Sequence, residues 1–141
     1  MSQFTRDLIL RHWQLANDQD WEGLGRLLHR EMTYEAPQSR ERIRSPLGYV
    51  DFFATWPQPW RAEVLRCIAD EHSALTQISF ISSAPPMMGL TLFDLKDGLI
   101  ARVTDYWPDP YEPGPRMSKH DERGGRAARA EPVVRAAAAL D

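Results

Sequence analysis

WRAEVLRCIAD (60–70), SALTQISFISS (73–83), MMGLTLFDL (87–95) and LIARVTDYW (99–107) follow one another with only EH, APP and KDG between them. In each run apolar and polar residues alternate, the period of a strand that turns one face to a core and the other to water. Asp97-Gly98 is the strongest of the turns, because glycine accepts the positive φ that a tight hairpin needs. A meander of four strands is therefore expected from Trp60 onward.

Upstream the period changes. From Thr5 to Asn17, apolar residues at Leu8, Ile9, Trp13, Leu15 and Ala16 follow the spacing of an amphipathic helix. After NDQD, Asp20 can cap a second helix carrying Trp21, Leu24, Leu27 and Leu28, against the low helix propensity of Gly23 and Gly25. EMTYEAP (31–37) alternates as a short strand stopped by Pro37, QSRERIRS (38–45) reads as a charged loop, and Ser45-Pro46 opens a third helix, LGYVDFFATW, that ends before Pro57. Three helices ahead of a meander make an α+β chain, expected as a cone-shaped α+β barrel with helices on one face of a strongly curved antiparallel sheet. One domain spans residues 1–113, and residues 114–141, rich in Arg and Ala, read as a flexible tail.

The balance of 43% hydrophobic and 26% charged residues over 141 positions suits one globular core. A net charge of −3 gives no basic face for phosphates, so no nucleic-acid partner is expected. Cys67 is alone, which rules out an intramolecular disulfide and suits a reducing compartment. The opening MSQFTRDLILRHW holds only a short apolar run between charges, neither a signal peptide nor a span, so no membrane is expected and the reading is cytoplasmic. His12, His29, His72 and His120 show no ligand spacing, and no metal is expected.

ILRHWQLANDQDWEGLGRLLHREMTYEAP, GYVDFFATW and GLIARVTDYWPDPY together resemble the SnoaL-like branch of the nuclear transport factor 2-like superfamily, over about Phe4 to Tyr111. That branch includes polyketide cyclases, ketosteroid isomerases, scytalone dehydratase and limonene epoxide hydrolase. The resemblance implies a conical pocket between sheet and helices, no organic cofactor, and homodimers packed through the outer sheet face. Here Ile100, Thr104 and Tyr106, on the parity opposite Asp105, would form that face. The isomerases' catalytic tyrosine, base and second acid fall on His12, Ala36 and near Leu90, so their mechanism does not transfer. Of the epoxide hydrolases' Asp-Arg-Asp trio only the last acid maps, onto Asp105; the other two fall near Ile78 and Phe80.

Asp105 shares strand parity with Val103 and Trp107, which the resemblance turns into the cone. Desolvation there would raise its pKa toward that of a general acid/base; the alternative is a structural acid paired with an arginine. His12, on the helix face with Leu8 and Ala16, is either a core histidine or the partner of Asp105. Tyr34, in phase with Met32 and Ala36, either donates to a developing enolate oxygen or simply walls the pocket. Ligand contacts are expected from Trp13, Tyr49, Phe53, Trp56, Leu90 and Trp107. Two classes of function follow. One is a cofactor-independent acid/base enzyme that cyclises, isomerises or dehydrates a hydrophobic oxygenated molecule such as a polyketide or terpenoid. The other is a non-catalytic module that binds a small ligand or supports a dimer. An epoxide hydrolase with an incomplete trio is a further alternative.

Overall fold

The computed structural model describes residues 2–115 and 120. Its elements are α1 (Ser2–Asn17), α2 (Trp21–Gly25), β1 (Leu28–Ala36), β2 (Glu41–Ile43), α3 (Pro46–Ala54), β3 (Arg61–Ala69), β4 (Ser73–Ile81), β5 (Met87–Lys96) and β6 (Leu99–Tyr106). The six strands form one open sheet in the order β2-β1-β6-β5-β4-β3. The α+β class holds, but the sheet is not the closed barrel expected, since β2 and β3 are edges that do not pair with each other, and it is mixed, because β1 runs parallel to β6 while every other pair is antiparallel. Residues 116–119 and 121–141, most of the expected tail, lie outside the described residues.

α1 buries Ile9, His12, Trp13 and Ala16 along one stripe, as its period requires. It is fixed at its end by Asn17, whose amide donates to the Ala62 carbonyl (2.8 Å) and accepts from the Ala62 N–H (2.8 Å). The side chain so takes the place of a neighbouring strand at one residue on the outer edge of β3 and sets the helix against the sheet. Trp13 adds a second tie, its indole donating to Thr76 on β4 at 3.1 Å. No described helix is long and apolar enough to cross a membrane.

α2 is shorter than the sequence suggested. Asp20 caps it by accepting from the Gly23 N–H at 2.9 Å, and a Cβ at Gly23 would meet that carboxylate at 2.7 Å. Leu28, expected on this helix, instead opens β1 opposite Ile100 of β6. Two glycines make five residues of helix too weak to propagate, and the parallel pairing takes over the apolar residue. α3 begins as expected, with Ser45 accepting from the Gly48 N–H at 3.0 Å and Pro46 in the first turn, but ends at Ala54, leaving Trp56 beyond it.

β2 comes from the stretch read as a charged loop. Ala36 pairs with Glu41 and Tyr34 with Ile43, around a turn in which Arg40 has φ 65°. Three residues, two of them charged, show no alternation; such short charged strands are how sheets blunt their edges. The hairpin at Asp97 (φ 55°) and Gly98 (φ 75°) forms as expected. Ile100, expected on the outer face, is wholly buried in the core. Register slips where Asp94 opposes Arg102 and Leu95 opposes Ile100, leaving Ala101 as an extra residue. This bulge reverses the parity, so that Ile100 points inward with Val103 and Asp105.

Asn17→Ala removes both bonds to Ala62 and leaves two backbone groups of the strand start without that partner. A loss of about 1–3 kcal/mol is expected, read as a lower urea midpoint at unchanged m-value. An unchanged midpoint would mean that α1 is held by its apolar face alone.

Candidate active site

Asp105 sits near the end of β6, 4% exposed, and receives one donor from each neighbouring strand. Thr91, directly opposite on β5, donates its hydroxyl to Oδ1 at 2.6 Å. Tyr34 on β1, in register with Val103, donates its phenol to Oδ2 at 2.9 Å. No lysine or arginine pairs with it among the described residues, so the ion-paired alternative does not apply. Burial pushes the Asp105 carboxyl up to about 6, the hydrogen bonds from Thr91 and Tyr34 and the nearby Trp107 side chain restrain the rise, and the charge of Glu41 adds to it. Burial and the adjacent Asp105 carboxylate together hold the Tyr34 phenol well above its ordinary value.

Asp105 opens onto a cavity of about 360 Å³. Trp13 of α1, Phe52 and Phe53 at the end of α3 and Trp56 just beyond it form one side. Ile78, Phe80 and Met87 of the sheet form another, and Gln38, Ser39 and Glu41 from the β1–β2 turn, with Trp107 and Asp109, complete the rim. Trp107 is seated by two features the sequence does not advertise. Its backbone N–H donates to the Gln38 side chain at 2.7 Å, and its ring occupies space above Gly89, where a Cβ would stand 2.9 Å from the indole.

Asp105, Tyr34, Trp13, Phe53, Trp56 and Trp107 are thus brought together as expected. His12 is not. It is fully buried behind the lining, Nε2 bonded to the Tyr49 hydroxyl at 2.8 Å, with Trp13 and Phe93 packed edge-on at 4.6 and 5.0 Å. Burial drives its pKa down to about 3, so the imidazole is neutral. Its route to Asp105 is indirect, through Tyr49, whose ring packs 5.6 Å from that of Tyr34. Tyr49 is spent on this contact and does not line the cavity. Leu90 also drops out, since Gly89, Thr91 and Phe93 are buried and Leu90 falls on the other face with Leu92. Thr91 could have been found from that same parity. Glu41 could not, because nothing in RERI marks a strand that brings it to the rim. No group of three or more potential metal ligands occurs among the described residues.

The two buried titratable groups act oppositely on stability. Folded Asp105 keeps a proton that the unfolded chain releases, so its contribution falls as pH rises from about 4 to 6. Folded His12 refuses a proton that the unfolded chain takes up, so its contribution rises between about pH 3 and 6.5. The slopes offset one another across the shared window. Asp105→Asn removes the falling one, so relative to the parent the variant should gain on the order of 3 kcal/mol between pH 4 and 7. Denaturant titrations at several pH values measure this. A variant that loses ground as pH rises would mean that the carboxylate is the favoured form.

Residues 9–103 match the SnoaL-like domain. No curated protein matches the chain. Among solved structures, a candidate ketosteroid isomerase from Kribbella flavida is 34% identical, with TM-score 0.80 over 86% of this chain and 90% of its own. An LEH-like epoxide hydrolase from M. tuberculosis (17% identity, TM-score 0.64, 76% and 84% covered) shares the fold. So does a candidate polyketide cyclase from Sinorhizobium meliloti (20%, 0.63, 70% and 93%). The fold, the extent of the match and the identity to the first of these place the chain in the SnoaL-like family, within the nuclear transport factor 2-like superfamily.

Proposed function

We propose that the chain is a cofactor-independent acid/base enzyme that isomerises, cyclises or dehydrates an apolar, oxygenated molecule of polyketide or terpenoid type in a conical cavity, with Asp105 as the proton carrier. The observation that carries this reading is a buried carboxyl, without a cationic partner among the described residues, at an aromatic cavity and with a pKa near neutrality. A carboxylate held at about 6 is basic enough to take a proton from carbon next to a carbonyl, and acidic enough to return it. As Asp105 takes the proton, the C–H electron pair becomes the new carbon–carbon double bond and the carbonyl π pair moves onto the oxygen. The now neutral carboxyl no longer commands the Tyr34 hydrogen, which can turn to the enolate oxygen. Reprotonation at another carbon completes an isomerisation, attack of the enolate carbon on a second carbonyl closes a ring, and expulsion of a β-hydroxyl as water completes a dehydration.

His12 acts here as a positioning residue rather than in contact with substrate, holding Tyr49 against Tyr34. The epoxide-hydrolase reading is the weaker one, because Ile78 and Phe80 wall the cavity with hydrocarbon where the trio's other two members would fall. The resemblance's dimer is proposed with a corrected surface, the half-exposed Leu65, Ile68, Leu92 and Tyr106, without Ile100. Light scattering at micromolar concentration should give twice the chain mass, and a monomer would refute it.

Deuterium exchange at α-carbons tests the chemistry without knowledge of the natural substrate, using a panel of β,γ-unsaturated ketones and aryl polyketide mimics followed by NMR. Asp105→Asn should slow exchange by a factor on the order of 10² to 10⁴. In the parent, the rate should rise with pH through about 6, as the base form appears. Tyr34→Phe removes a bond that favours the carboxylate, so the acid limb should move to higher pH. Exchange equally fast in Asp105→Asn would transfer the case to a ligand-binding module.

A further inference from the structure

The cavity's walls and its charges agree on an unexpected ligand class. Phe52, Trp56, Phe80 and Trp107 form a connected run of rings along the cavity, with successive centroids 5.4, 6.0 and 5.7 Å apart and interplanar angles of 63°, 85° and 84°. Each ring face carries the negative lobe of its quadrupole, so rings lining a cavity can present negative faces to a ligand. The ionisable side chains that line this cavity besides Tyr34 are all carboxyls, Asp105 inside and Glu41 and Asp109 toward the opening. Among the described residues of the lining there is no lysine, arginine or histidine. The neighbouring arginine of β2 is turned elsewhere, Arg42 meeting Glu35 at 3.6 Å beside a separate surface hollow. Ser39 holds Glu41 in place, its hydroxyl donating to Oε1 at 2.6 Å.

We infer that the cavity selects molecules whose apolar body carries a cationic nitrogen, an ammonium or quaternary ammonium group, and disfavours those with a carboxylate or phosphate. The rings and the acids are independent features, and both act in the same direction. Ring faces attract a cation while matching the apolarity of its alkyl groups, so the preference does not require the cation to be stripped into hydrocarbon. The acids attract it over a longer range and repel an anion. Glu41 already acts this way on the groups inside, opposing ionisation of both Asp105 and Tyr34. An anion would meet the same opposition without any cation in the lining to offset it. This inference rests on the cavity used in the acid/base reading and names the charge of its ligand, which that reading leaves open.

Tryptophan fluorescence reports occupancy, since Trp13, Trp56 and Trp107 line the cavity. The probes are four compounds sharing a 4-phenylbutyl body and ending in trimethylammonium, primary ammonium, hydroxyl or carboxylate. Titrated into the full chain at low ionic strength, the trimethylammonium compound should bind about tenfold more tightly than the alcohol, and the carboxylate more weakly than either. Glu41→Gln should narrow the lead of both cations several-fold, weakening them more than the alcohol. Trp56→Leu, at a ring 38% exposed and so tolerant of change, should weaken the trimethylammonium compound more than the alcohol. An alcohol that binds as tightly as the cations, or four compounds that all fail to bind the folded chain, would overturn the inference. Deuterium exchange on neutral ketones is scored separately, so either result can fail while the other stands.

Discussion

The site depends on the pairing of β1 with β6. This is the one parallel contact in the sheet, and it brings Tyr34, more than seventy positions away in sequence, beside Asp105 at 2.9 Å. Thr91 reaches the same carboxyl from β5 on the opposite side at 2.6 Å. Donors from both flanking strands make it tolerable to bury an acid without a counter-ion. They do not abolish the cost, because hydroxyl dipoles replace only part of the lost hydration. What remains of the desolvation is what raises the pKa, and it is the property an acid/base catalyst needs.

His12 belongs to the same economy of buried polarity. Among the described residues its Nδ1 has no hydrogen-bond partner, and its Nε2 shares one hydrogen with the Tyr49 hydroxyl. Either the imidazole N–H or the tyrosine O–H is therefore left without an acceptor among the described residues. An unpaired polar hydrogen in an aromatic enclosure costs stability, and a protonated ring would cost more, which is why burial keeps His12 neutral. The two groups that the sequence suggested as partners thus occupy separate environments on either side of the tyrosine pair. One faces the cavity and titrates near neutrality; the other is sealed behind Trp13, Phe53 and Phe93.

Membership of the SnoaL-like family fixes the scaffold more firmly than the chemistry, because scaffolds of this kind carry sites that differ residue by residue. In this chain the sheet contributes Ile78 and Phe80 to the wall, β1 contributes Ala36, and the rim is a set of rings interrupted by acids. The cavity so holds a single buried acid among hydrocarbon and aromatic walls. Gly89 belongs to the same design: its missing side chain is what lets the Trp107 ring close one side of the cavity.

Much of this was legible in the sequence, because periodicity is a local property. Alternation located β3 to β6, the helical stripe located α1, and Asp97-Gly98 fixed its hairpin, each through forces acting within a few residues. Strand parity and the family resemblance together placed Asp105 inward with Trp107 and marked Tyr34, and helical spacing marked Phe53 and Trp56 on the third helix. Other features depend on partners remote in sequence. β2 exists because the edge of β1 offers it hydrogen bonds, and Leu28 leaves the helix for the same kind of reason. The bulge at Ala101 is a register event between two strands, so a count along one strand misplaced Ile100. His12 shares its helix face with pocket residue Trp13, and only the packing of α3 decides that its partner is Tyr49 and not Asp105. The sequence by itself determined most of the residues that are turned inward, wherever the local period runs unbroken. Which of those inward residues meet, and which of them is left facing open space, was decided by tertiary structure, because contact depends on the register and packing of elements that local periodicity does not encode.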